Sequence, residues 1–177
     1  MNLELRPIDV GDAAELARLY EENRHFLEPY QPARLPDFYT GDGQRRRIEA
    51  LSREIAGGTR WTALIVLEDE TVGHITLNNI LRGVLQSAAL GYWVAERVGG
   101  KGVATAAVGF CLDIAFCELD LHRVEASVRT DNVRSIRVLA KNRFRRIGIA
   151  REHVFLDDAW RDEFLFERHA PPIADQA

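Results

Sequence analysis

The sequence predicts a single α/β (α+β) domain, in which a mixed, mainly antiparallel sheet of about seven strands is flanked by helices. Three observations carry this. The chain has 177 residues, enough for one ordinary core and too few for two. Hydrophobic residues make up 46% and charged residues 28%, which excludes a disordered chain, a collagen-like repeat and a lone coiled coil. Short segments with strand-like alternation or a continuous apolar run then interleave with segments of helical period. No internal repeat or linker divides the chain, so one domain is expected over residues 1–169, followed by a tail over 170–177 that frays.

Leu3-Glu4-Leu5-Arg6 alternates as a strand does, and Pro7 closes it. Asp9 or Asp12 then caps a helix whose apolar face is Ala13, Leu16, Ala17 and Tyr20. Residues 28–43 carry Pro29, Pro32, Pro36, Gly41 and Gly43 with Tyr30, Phe38 and Tyr39, which reads as a loop with adhesive side chains, able to serve as a lid. Ile48, Leu51 and Ile55 mark a second helix ended by Gly57-Gly58, with Arg45-Arg46-Arg47 near its start, an awkward place for positive charge. Trp61 to Leu67 and Val72 to Leu77 form a hairpin about the turn Glu68-Asp69-Glu70.

A further strand follows from Ala88 to Val94, and after Gly99-Gly100-Lys101-Gly102 a largely buried helix runs through Val103, Ala107, Phe110, Cys111 and Ile114. Val124, Ala126 and Val128 alternate with Glu125, Ser127 and Arg129 in a fifth strand. Thr130-Asp131-Asn132 supplies a cap for a helix to about Asn142. Strands over Arg145 to Phe155 and Trp160 to Glu167 close the fold about a turn at Asp157-Asp158.

Twenty-three Lys and Arg against 27 Asp and Glu leave a net charge of −4, which argues against direct nucleic-acid binding through a global positive field. No apolar run approaches the ~18 residues of a membrane span, and the start Met1-Asn2-Leu3-Glu4-Leu5-Arg6 lacks a signal layout. The expectation is a soluble, cytoplasmic protein with no membrane partner. Cys111 and Cys117 share one apolar helical stretch and read as buried reduced thiols, and no His/Cys cluster has metal spacing.

A strand, then Gly99-Gly100-Lys101-Gly102-Val103-Ala104, then a helix presents backbone N–H groups and a helix N-terminus to an anion, usually phosphate. A P-loop needs Ser or Thr after the lysine, and Gly102 stands there; a dinucleotide fingerprint needs a third glycine where Thr105 stands. Neither fits. With Tyr92-Trp93-Val94 before it, the segment resembles the acetyl-CoA pyrophosphate loop of the GCN5-related N-acetyltransferases (GNAT), Gln/Arg-x-x-Gly-x-Gly/Ala. One register puts Gly99 on the first position and Gly102 and Ala104 on the small ones; a second, Arg97-x-x-Gly100-x-Gly102, shifts the phosphate-facing amides by two residues. Glu22-Asn23-Arg24-His25-Phe26-Leu27, Asn79-Ile80-Leu81-Arg82-Gly83, Leu121-His122-Arg123-Val124, Asn132-x-x-Ser135 and Trp160-Arg161-Asp162 are together similar to the bacterial ribosomal-protein N-terminal acetyltransferases, the RimJ/RimL-like branch and most closely its alanine-directed members. One departure is Arg143, where many relatives have a helix-ending glycine; Asn142 tolerates the left-handed conformation and is expected to take it.

The resemblance implies a sheet splayed between the strand of Tyr92-Trp93-Val94 and that of Glu125 and Ser127, with acetyl-CoA, and no metal, in the gap. It places Tyr92, Trp93, Val94, Gly99, Gly100, Lys101, Gly102, Val103, Ala104, Thr105, Asn132 and Ser135 on the cofactor, a backbone N–H near Trp93 or Val94 serving as oxyanion donor. Ser135 would stabilise or protonate the departing thiolate or merely complete its helix start, and Asn132 would contact the pantetheine arm, cap the helix, or both. Acetyl transfer needs a neutral amine, an oxyanion donor and an exit for thiolate, with no enzyme nucleophile. An α-amine ionises near ~7.7–8.0, so an N-terminus is an easier acceptor than a lysine. Glu96, Glu125, Asp162 and Glu163 are the carboxylates open as a general base, with Glu125 and Asp162 carried forward as catalytic candidates beside Ser135, and no base at all as the alternative. His25, Phe26, Tyr30, Asn79 and Arg82 are expected at the acceptor. The acceptor reads as a protein N-terminus, possibly ribosomal, against a small-molecule amine such as an antibiotic, polyamine or amino-acid conjugate. A reading of another class is a non-catalytic acyl-CoA- or RNA-binding module using Arg45, Arg46, Arg47, Arg143, Arg145, Arg146 and Arg151. The letters are compatible with a monomer or a homodimer.

Overall fold

The computed structural model describes residues 1–156 and 158–172; Asp157 of the expected last turn and most of the expected tail, 173–177, lie outside the described residues. The strands are β1 (Leu3–Pro7), β2 (Trp61–Leu67), β3 (Glu70–Leu81), β4 (Ser87–Val94), β5 (Arg123–Arg129), β6 (Arg145–Leu156) and β7 (Ala159–His169), and the helices α1 (Ala13–Glu22), α2 (Arg24–Leu27), α3 (Gly41–Ala56), α4 (Val103–Asp113) and α5 (Val133–Lys141). The strands form one seven-stranded sheet in the order β1-β2-β3-β4-β5-β7-β6. Every pairing is antiparallel except β4 with β5. That exception matters most: Ser87, Ala88 and Ala89 pair with Arg123, Val124 and Glu125, and the ladder stops there. β4 continues to Val94 against β3 and β5 continues to Arg129 against β7, so a gap opens between them, as the resemblance implied.

β2 and most of β3 are buried without alternation, because layers cover both faces of the sheet centre. α1 and α3 pack on each other, while α4 lies against β1, β3 and β4 with α5 beside it. Leu16, Leu19, Ile48, Leu64, Ile75, Leu77 and Leu121 are essentially inaccessible within this core, each contributing about 1.5–3 kcal/mol of burial. β6, the edge strand, is exposed almost throughout.

Local chemistry explains most boundaries. Asp9 caps a short 3-10 turn, its side chain accepting from the Gly11 amide at 2.8 Å, while Asp12 accepts from the Asp9 amide at 2.7 Å and from Arg6 at 2.8 Å; both aspartates are used. Glu68 and Asp69 both have positive φ, the two-residue turn that matches strand twist. The Pro-rich stretch departs from the expectation of a loop to residue 43. Thr40 accepts from the Gly43 amide at 3.0 Å, so Gly41 and Gly43 form the first turn of α3, and the arginine run falls in its second turn. Arg46 there pairs with Asp37 at 2.7 Å, and Arg47 lies over the Tyr20 and Phe38 rings. Gly43 is required by packing: a Cβ would stand 1.9 Å from the Asp37 carbonyl oxygen.

Three further expectations are corrected. Cys117 is exposed, not buried; it lies past the end of α4, in a π-helical turn over Ile114–Glu118. Phe110 is exposed as well. α5 ends at Lys141 with Asn142 as its cap, but the left-handed residue is Arg143, at φ 60°. Asn142 keeps a negative φ of −89°, and its side chain donates to the carbonyls of Thr105 at 3.1 Å and Val138 at 3.0 Å.

Candidate active site

The divergence of β4 from β5 opens a cleft of about 560 Å³. One wall is the stretch Leu90–Val94 of β4; the other is Ala126–Arg129 of β5 with α5. No strand occupies the β5-facing edge of β4 beyond Ala89 among the described residues, so that edge is open to a hydrogen-bonding guest. At one end of the cleft, Gly100 (φ 75°) and Gly102 (φ 86°) turn the chain into α4, a conformation in which any side chain would be strained. Gly102 is the helix N-cap, its carbonyl accepting from the Ala106 amide, which leaves the amides of Val103, Ala104 and Thr105 at the helix start without intrahelical acceptors. Arg134, Arg137 and Lys141 of α5 line the same cleft. Free amides, a helix N-terminus and three cations fit a polyanion such as a pyrophosphate, and the open strand edge beside them fits an amide-bearing arm. These features accommodate acetyl-CoA.

The cleft is braced from several directions. Asn23, at the end of α1, donates to the Leu19 carbonyl and accepts from the Glu96 amide at 2.9 Å, fixing the chain that leaves β4. Trp93 Nε1 donates to the Tyr20 hydroxyl at 3.1 Å, and the Tyr20 ring packs on both Trp93 and Phe38. Across the gap, the Tyr92 hydroxyl meets the Ser135 hydroxyl at 2.8 Å. Burial pushes the Tyr92 hydroxyl up to about 12, against the pull of its Ser135 bond, so it stays a neutral phenol at ordinary pH. Asn132 caps α5 by accepting from the Ser135 amide at 3.1 Å, which sets where Ser135 begins its turn.

Of the residues expected at the cofactor, all but Lys101 line this cleft; Lys101 is exposed. Phe26 and Tyr30 line the cleft mouth, held by cation–π contacts to Arg134 and Arg129. His25 does not line it: its side chain is 99% exposed. Asn79 and Arg82 are also outside, at the end of the sheet where β4 is still paired with β5, and Arg82 donates to the Leu119 carbonyl. Ser135 is in the cleft. Glu125 is not, because it stands on β5 at the last paired position opposite Ala89 and binds Arg123. Asp162 also lies outside: it accepts from the Glu152 amide at 2.9 Å and binds Arg151 at 2.8 Å, which hold its carboxyl below the usual range. Glu96 is exposed beyond the end of β4. The fourth carboxylate, Glu163, does line the cleft.

Sequence reasoning missed Arg134, Arg137 and Lys141, although their i, i+3, i+7 spacing on the helix of Ser135 was a readable signal. It had no means of finding Arg129 as the strap over Tyr30, which depends on β5 reaching the mouth.

Among the described residues no helix is long and apolar enough to cross a membrane, and no group of His, Cys, Asp or Glu has the arrangement of a metal site. Residues 2–145 match the acetyltransferase (GNAT) domain. The chain is 40% identical over 160 residues to a probable N-acetyltransferase, YjcK, of Bacillus subtilis, covering 89% of this chain and 88% of that one. It is 29% identical over 165 residues to the [ribosomal protein uS5]-alanine N-acetyltransferase of Escherichia coli, covering 92% and 85%. Among solved structures, Mycobacterium smegmatis RimJ in complex with CoA-disulfide superposes with a TM-score of 0.91 at 37% identity, over 95% of this chain and 82% of that one. A sheet parted beside a glycine-turned helix start is thus matched by sequence likeness over nearly the whole chain, and the protein belongs to the GNAT family of acetyl-CoA-dependent N-acetyltransferases.

Proposed function

We propose that this acetyltransferase modifies the N-terminal α-amine of a protein, of ribosomal type, in the cytoplasm, by direct attack without a covalent enzyme intermediate. The observation that carries the reading is the cleft itself: its anion-binding end, its open strand edge and the Tyr92–Ser135 contact lie along one path that ends at a mouth lined by Phe26, Tyr30 and Gln31. The ribosomal acceptor is supported by the likeness to the E. coli alanine acetyltransferase, which spans both ends of that path.

Acetyl-CoA supplies an activated acetyl group whose departing thiolate needs no enzyme nucleophile. The amides of Val103, Ala104 and Thr105 hold the pyrophosphate at the helix start, with Arg134, Arg137 and Lys141 as counter-charge. A β4 main-chain N–H near Trp93 or Val94 polarises the thioester oxygen. Ser135, oriented by Tyr92 and by its place in the first turn of α5, donates to the departing sulfur. Asn132 sets that first turn.

The test is thiol release from acetyl-CoA against peptides beginning with alanine, serine or methionine, beside spermidine and free amino acids. Faster turnover on one N-terminus than on any small amine is the expected result. Turnover confined to small amines would replace the acceptor while leaving the chemistry in place, and tight acetyl-CoA binding with no turnover would overturn the catalytic reading.

A further inference from the structure

Among the described residues that line the cleft Glu163 is the single carboxylate, in company with Arg129, Arg134, Arg137 and Lys141. The cations suit a phosphate-bearing cosubstrate and are the wrong charge for an ammonium. Glu163 has the right one. It lies on β7 opposite Arg129 of β5, where β5 reaches the wider part of the gap, and its side chain is only 14% exposed.

How Glu163 is held is unusual for a strand. The β6–β7 register shifts twice, between Arg146 and Gly148 and again between Ala150 and Val154, and the second shift leaves Arg151, Glu152 and His153 as a bulge on β6. Glu152 takes a positive φ of 48°. Asp162 pins the bulge by accepting from the Glu152 amide and binding Arg151. The result is that His153 Nδ1 meets a Glu163 carboxylate oxygen at 2.7 Å. Strand irregularities of this kind re-aim a side chain, and this one aims an imidazole at the Glu163 carboxylate.

Resting on the reading of an amine acceptor, we infer that Glu163, oriented by His153, binds the acceptor's ammonium and takes its proton, with Asp162 and Arg151 as positioning residues that hold the bulge. Glu163 accepts one proton as ammonium becomes amine and passes it to solvent. The amine nitrogen then bonds to the acetyl carbonyl carbon as the carbon–sulfur bond breaks, and its second proton ends on the CoA sulfur by way of Ser135 and water. The other charged or titratable groups on the cleft among the described residues are Tyr30, Tyr92, Arg129, Arg134, Arg137 and Lys141. The same arrangement gives Asp162 a purpose that its place outside the cleft denies it as a base.

The experiment measures thiol release with the best peptide acceptor from pH 6 to 9.5 for the wild type, Glu163→Gln, His153→Gln and His153→Phe, alongside acetyl-CoA affinity and thermal midpoint. Glu163→Gln is expected to lower kcat/KM for the peptide about 100-fold at pH 7, with acetyl-CoA affinity within about two-fold. The deficit narrows as pH passes the acceptor's own ionisation near ~8, because the amine then arrives neutral. His153→Phe is expected to lose about ten-fold, and His153→Gln, which retains a donor to Glu163, less. A Glu163→Gln enzyme with wild-type kcat/KM, or a deficit constant across pH, overturns the inference and leaves the acetyltransferase standing. A wild-type enzyme inert towards every amine overturns the acceptor reading, and this inference with it.

Discussion

Removing the Tyr92 hydroxyl tests whether the two sides of the cleft act as one unit. In Tyr92→Phe the ring keeps its packing, and what is lost is the 2.8 Å contact to the Ser135 hydroxyl with a longer 3.4 Å one to the Ser135 carbonyl. Such a bond contributes about 0.5–1.5 kcal/mol net, and for a chain of this length each kcal/mol moves the thermal midpoint by about 2–4 °C, so a fall of about 1–6 °C is expected. Catalysis is the more telling readout. With Tyr92 absent, Ser135 is free to rotate towards water, and kcat is expected to drop about ten-fold while acetyl-CoA binds within about two-fold of wild type. The same substitution made in a Ser135→Ala background closes a double-mutant cycle measured by thiol release. If Tyr92 acts through Ser135, it costs almost nothing there. An equal loss in both backgrounds would refute the coupling, and wild-type kcat in Tyr92→Phe would refute the role of the contact altogether.

His74 is buried on β3, and burial, aided by the charges of Arg47 and Arg60, pushes its imidazole down to about 3. Its Nε2 is 2.6 Å from the Thr62 hydroxyl, which donates to the Ile75 carbonyl and therefore accepts from a neutral imidazole N–H. The unfolded chain takes up this proton below about 6.5 and the folded one does not, so stability declines as pH falls from about 6.5 towards 3, by about 5 kcal/mol in all; urea midpoints against pH are expected to show the decline and to lose much of it in His74→Gln. At the alkaline end, burial pushes Cys111 up to about 12 and Tyr92 also to about 12, so the unfolded chain ionises first and stability falls above about pH 9. Cys111→Ala is expected to move the onset to about pH 10, where unfolded tyrosine begins to ionise. Gly43→Ala is expected to cost about 2 kcal/mol by driving a Cβ into the Asp37 carbonyl, whereas Gly41→Ala, whose Cβ meets nothing nearer than 3.9 Å, is neutral or slightly stabilising. A calorimetric comparison that ranks the two alike would contradict the packing argument. Arg143→Gly, relieving a left-handed arginine, is expected to raise stability by about 0.5 kcal/mol, the strain relieved exceeding the added entropy of the unfolded chain.

The alternation of Leu3-Glu4-Leu5, the Asn132 cap and the glycine turn at 99–102 are each decided by residues a few positions apart, and the structure agrees with them closely. The start of α3 was misplaced because glycine argues locally for a loop, while the Thr40 cap and the close approach of Asp37 keep Gly41 and Gly43 in a helix. Glu125 and Asp162 were attractive as carboxylates beside recognisable motifs, yet each is consumed by a neighbouring arginine. The glycine-turn end of the cleft was legible since it is one contiguous turn and helix start; the mouth was legible only at Phe26 and Tyr30, because the rest of its lining comes from β5, α5 and β7.

By itself the sequence determined the order and kind of the elements, the anion-binding turn and the family, because hydrogen bonding within a turn or a strand's alternation depends on near neighbours. Only the tertiary structure decided that β4 and β5 part after Ala89, that Tyr92 meets Ser135 across 43 residues of chain, and that a bulge on β6 brings His153 to Glu163. Those contacts depend on sheet order and register, and a shift of one residue in register would turn the strand residues Tyr92 and Glu163 to the opposite face.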